Sequence, residues 1–180
     1  MNWEAGDIML LKRPKRSGWE TTKLLFSQIW TFFFKKQGLI EIVSKYYHIQ
    51  MAFDSTQTIT QEPPNCHIEP YDPNLKLRVW RLKNKPVDFV VKFHMYALAE
   101  LGRKFDFKKF WALVLDGMFS TQWFGNHAQN KDNNVCAEFV SRFYVELGLP
   151  MGNPESIIPA DVNRFCEESG LFEMVRDDPV

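Results

Sequence analysis

Four consecutive apolar residues, Ile8-Met9-Leu10-Leu11, follow Gly6-Asp7 and suit a buried strand. Pro14, Ser17 and Gly18 mark a loop after it. From Trp19 to Lys36 the period becomes helical, with Leu25, Ile29, Phe32 and Phe33 on one face. Gly38 is a stop signal, and Lys35 and Lys36 suit the negative end of that helix. From Tyr46 the period changes to two. Tyr47 to Phe53 predicts a strand and Thr56 to Glu62 a second, with Asp54-Ser55 as the turn and Pro63-Pro64-Asn65 as the end. Leu75 to Leu82 alternates Leu75, Leu77 and Val79 with Lys76, Arg78 and Arg81, and reads as a third strand. These three predict an antiparallel meander.

The second half is mainly helical. Pro86 opens a helix that runs through Phe89, Phe93, Tyr96 and Ala97 to Gly102, and Phe107 to Phe119 predicts another. A polar stretch, Gly125 to Asn134, leads into a helix from about Val135 to Leu147, ended by Gly148 and Pro150. Pro159-Ala160-Asp161 starts a last short helix. Gly170 ends it before a closing strand, Leu171 to Val175. The pattern predicts an α+β fold, a small antiparallel sheet packed against helices. It shows no repeat and no linker, so residues 1–180 read as a single domain.

Composition narrows the function. Apolar residues make up 45% and charged residues 24%, which is globular rather than disordered. The 16 Phe and 6 Trp permit a dense core and an apolar substrate groove. Lys plus Arg equal Asp plus Glu at 22 each, and the basic clusters Lys12 to Arg16 and Lys35-Lys36 are short, so no nucleic-acid partner is expected. Three cysteines without a CxxC spacing predict neither a disulfide framework nor a structural zinc. With no signal-like start, the expectation is a reducing, cytoplasmic setting. The most apolar run, Leu24 to Phe34, is about half the length of a membrane span. The amphipathic, aromatic stretch from Trp19 to Lys36 also fits peripheral association with a membrane surface, although a core-packing helix explains it better.

Cys136 stands at the head of an apolar helical segment, after Lys131-Asp132-Asn133-Asn134, where Asn or Asp would cap the helix. The helix dipole and unsatisfied N–H groups there favour thiolate and can hold an oxyanion. A nucleophilic thiol needs a base. His48 interrupts an otherwise apolar strand and is the first candidate. His127, in the polar stretch before Cys136, is its rival, and His67 and His94 are weaker. No two histidines have i, i+3 or i+4 spacing, so neither a metal enzyme nor any cofactor is expected.

Taken in order, Gly6-Asp7, His48-Ile49, Val79-Trp80-Arg81-Leu82, Cys136-Ala137-Glu138 and Pro159-Ala160-Asp161 resemble the circularly permuted branch of the NlpC/P60 superfamily. This papain-like group contains YiiX-type amidases and lecithin–retinol acyltransferase relatives. The likeness runs from about Gly6 to Val175. It implies a permuted papain-like fold in which the histidine strand precedes the cysteine helix. Cys136 would be the nucleophile and His48 the base. The family's serine after the cysteine is Ala137 here. Its orienting histidine or glutamate falls, without gaps, on Thr60. Glu62 shares a face with Thr60 and supplies a carboxylate, whereas a one-residue register slip would bring Gln61 round instead. Glu62 is the preferred third residue, because a carboxylate stabilises an imidazolium.

The resemblance therefore implies a cysteine hydrolase, an amidase, peptidase or acyl-ester hydrolase working through a thioacyl intermediate. Its substrate would carry an amide or ester, as in a peptide, cell-wall fragment or lipid. The alternative is a catalytically inactive binding module of the same fold, associated with a membrane or cell wall.

Overall fold

A computed structural model describes residues 3–12, 46–112, 127 and 133–179. The expected helix from Trp19 to Lys36 and residues 113–119 of the expected helix from Phe107 lie outside them, as does most of the polar stretch before Cys136.

The chain is mixed α+β. Its strands are β1 (Ile8–Lys12), β2 (Tyr46–Ala52), β3 (Gln57–Glu62), β4 (Asn65–Pro70), β5 (Leu77–Leu82), β6 (Lys104–Phe105), β7 (Asn133–Asn134) and β8 (Phe172–Asp177). Its helices are α1 (Phe89–Glu100), α2 (Cys136–Glu146) and α3 (Pro159–Glu168), and residues 107–112 are also helical. The eight strands form one sheet in the order β7-β6-β4-β3-β2-β1-β5-β8, antiparallel except for β6 with β7.

The expected meander of three strands is corrected in two places. First, β1 inserts between β2 and β5. Second, the outer neighbour of β3 is β4, which follows the Pro63-Pro64 turn. Asn65 to Pro70 lacks a clean alternation because its side chains are mostly half-buried. An edge-like strand of this kind leaves little trace in hydropathy.

Alternation along β1 divides the interior. Ile8 and Leu10 join Ile49, Met51, Ile59, Trp80 and Leu82 beneath Phe93, Phe139, Val140 and Phe143 of the helices. Met9 and Leu11 join Trp3, Ala52, Leu77 and Val79 on the other face. Two-sided burial is why Ile8 to Leu11 is uninterruptedly apolar. Among the described residues no helix is long and apolar enough to cross a membrane.

The residues flanking the sheet's middle lock α1, α2 and β5 together. Gly6 has φ +83°, and a Cβ there would lie 2.6 Å from the Phe89 ring of α1. Its carbonyl accepts a 2.7 Å bond from the Tyr144 hydroxyl of α2. The wholly buried Asp7 is clasped by Arg81 of β5 through Nε at 2.9 Å and Nη2 at 2.6 Å. Asp161 accepts from the Ile158 N–H at the start of α3. Gly6, Asp7, Arg81 and Asp161, four of the residues that carried the resemblance, thus hold the scaffold.

Candidate active site

The site lies where two strands part. In β2, Ala52 exchanges backbone bonds with the β1 side, donating to Asp7 O and accepting from Gly6 N–H. By alternation the odd-numbered residues turn theirs toward β3. The β2–β3 ladder ends at Gln50 opposite Thr60, although both strands continue. The Ile49 N–H is thereby left for another acceptor, and it lies near enough to the Cys136 sulfur to favour its thiolate. The start of α2 lies against β2 and β3 near that end of the ladder.

His48 and Thr60 lie on the same face of the parted strands. His48 Nε2 is 2.6 Å from Thr60 Oγ1 and 3.9 Å from Glu62 Oε2. Glu62 is also near enough to the Cys136 sulfur to disfavour its thiolate. His48, Thr60 and Glu62 therefore converge, and Cys136 lies within electrostatic reach of Glu62. Gln61 faces away, its Nε2 donating to Arg103 O at 3.2 Å. Of the two residues on the near face, Thr60 makes the hydrogen bond and Glu62 the longer ionic contact.

Two expectations about Cys136 change. Its helix has no Asn or Asp cap. The N-cap is Val135, whose N–H reaches Glu138 Oε2 at 3.5 Å, while the Asn134 side chain donates to Glu100. Nor is the thiol acidic in this environment. Burial pushes it up to about 11, against the pull of N–H groups from Ile49, Ala137 and Cys136 itself. The residue nevertheless keeps partial exposure, which a nucleophile needs. Cys66 and Cys166 are buried, and burial raises both thiols, Cys66 to about 12.

The remaining histidines are engaged elsewhere. His94 donates to Phe53 O at 3.0 Å, His67 Nδ1 to Asn65 O at 2.9 Å, and His127 is exposed. Behind the site, Glu138 is fully buried and paired with the equally buried Lys109 at 2.8 Å and with Arg142. Hydropathy missed this network because Lys109 lies in a charged-looking stretch. It also missed a cluster of Glu62, His67 and Glu69, whose ligand atoms lie within 4.8 Å of one another. That grouping exists only through β3–β4 pairing. No family model, curated protein or solved structure matches this chain.

Proposed function

We propose that the protein is a cysteine hydrolase of permuted papain-like fold, with Cys136 as nucleophile and His48 as base. One observation carries this reading: Cys136 stands at the start of a helix, with its thiol near the backbone N–H of Ile49, the residue next to His48 in β2. Thr60 engages Nε2, so Nδ1 is the nitrogen assigned to the thiol.

In the proposed cycle, His48 takes the Sγ proton and the thiolate bonds to an amide or ester carbonyl carbon. N–H groups at the start of α2 hold the oxyanion. Collapse breaks the C–N or C–O bond, and the leaving group takes the proton from His48. Water, deprotonated by His48, then attacks the thioester, releasing the acid and restoring the thiol. A peptide, cell-wall fragment or lipid would suit this chemistry, because fold does not select among them. The three free thiols are in keeping with a reducing, cytoplasmic setting.

A second reading is an inactive binding module of the same fold. It is favoured by the raised thiol and by Thr60 standing where a charged partner would orient the imidazole. The pH dependence of iodoacetamide labelling, mapped by mass spectrometry, separates the two. The hydrolase requires His48 to overcome burial, so Cys136 titrates below the ordinary thiol value of about 8.5. His48→Ala then moves it toward about 11. A wild-type thiol already titrating near that value, unmoved by His48→Ala, sinks the hydrolase and leaves the module.

A further inference from the structure

On the same face as His48 and Thr60, β3 and β4 bring together one imidazole and two carboxylates. His67 is directly opposite Thr60, and Glu62 and Glu69 lie two residues from that pair along β3 and β4. His67 Nε2 is 3.9 Å from Glu62 Oε1 and 3.7 Å from Glu69 Oε2. Its Nδ1 is 2.9 Å from Asn65 O. A carbonyl only accepts, so Nδ1 carries a proton, and Nε2 is the ring atom turned toward the two carboxylates, at distances that a bridging cation spans. A histidine whose Nδ1–H is tied to a backbone carbonyl while Nε2 points at other ligands is also how metal-binding histidines are oriented.

We infer that Glu62, His67 and Glu69 form a binding site for a divalent zinc-like cation beside His48. Around a tetrahedral zinc the ligand atoms lie about 3.4 Å apart, given metal–ligand bonds of about 2.0–2.2 Å. The observed separations close to that with small side-chain rotations. One nitrogen and two oxygens suit zinc better than magnesium or calcium, which prefer oxygen alone. The three side chains are between 36% and 40% exposed, so an ion can reach them and a water can complete the coordination. Glu62 is shared between the two clusters: one oxygen faces His67 and the other faces His48.

The inference does not depend on the hydrolase reading, and its test excludes the thiol. Chelator-treated full-length protein carrying Cys136→Ser is titrated with zinc chloride by calorimetry, alone and with His67→Ala or Glu69→Gln added. Thermal unfolding without metal verifies that each variant folds. The expected result is one zinc per chain, with affinity falling at least about ten-fold in each added variant as a ligand is lost. The zinc-induced rise in unfolding temperature should shrink in parallel. No zinc uptake, or uptake indifferent to both substitutions, overturns the site and leaves an imidazolium bridging two carboxylates.

Discussion

In the proposed hydrolase, the 2.6 Å contact between Thr60 and His48 would perform part of an orienting group's work. A hydroxyl can accept Nε2–H and so keep Nδ1 as the basic nitrogen, but it brings no charge to an imidazolium. Glu62 brings the charge, from 3.9 Å and with 38% of its side chain exposed. Losing a neutral hydrogen bond costs about 1 kcal/mol, so Thr60→Val should slow Cys136 alkylation at neutral pH roughly five-fold. Glu62→Gln should slow it less, because a solvent-screened pair contributes only about 0–1 kcal/mol. A larger loss in Glu62→Gln would transfer the orienting role to the carboxylate. Alternation alone puts Thr60 and Glu62 on one face, and residue order suggests Cys136 and His48. Which of the two reaches the imidazole depends on where the β2–β3 ladder stops, and that is a tertiary matter.

Between elements, the pairing of β5 with β8 is reinforced by a charged clasp. Asp177 receives Arg78 Nε at 2.9 Å and Nη2 at 2.8 Å, and Lys12 of β1, almost wholly buried, also pairs with it. The Arg78 hydrogen bonds, with Lys12 behind them, hold the Asp177 carboxyl well below the usual carboxylate range. A pKa lowered by folding adds stability above the unfolded value of about 3.9, and that stability is lost as pH falls through the folded value. Thermal unfolding followed from about pH 5 to about pH 2 should therefore fall more steeply in wild type than in Asp177→Asn. Parallel curves would show that the clasp contributes nothing to stability. Such a clasp is hard to foresee, since Arg78 and Asp177 are 99 residues apart. The short β6 and β7, two residues each, escape pattern reading for a different reason: two residues carry no period.

At the scale of the molecule, a ring of four charges joins the helical residues 107–112 to α2 and to the segment before α3. Lys109 pairs with Glu138 and Glu155, and Arg142 closes the ring to the same two carboxylates. Lys109 and Glu138 have no exposure at all. Removing Lys109 leaves the buried Glu138 with Arg142 as its remaining partner, so Lys109→Met should cost about 1–3 kcal/mol in urea unfolding, less than a fully broken buried pair. Adding Glu138→Gln should recover part of it, because the under-compensated buried charge is gone. Equal losses in the single and double variants would refute the coupling. The ring anchors the helix that carries Cys136 at its start.

Local chemistry is what the chain determined by itself. Period and punctuation are properties of neighbouring residues, so β1, β2, β3, β5, α1, α2, α3 and β8 were legible to within a few residues. Cys136 and His48 were legible as candidates for the same reason. The tertiary structure decided the rest: β1 between β2 and β5, the end of the β2–β3 ladder, the hydrogen bond of Thr60 rather than Glu62 to His48, and the raised thiol. Each depends on which groups far apart in sequence become neighbours, and on how much water their packing removes. Desolvation and long-range pairing follow from the assembled fold, and no local pattern encodes them.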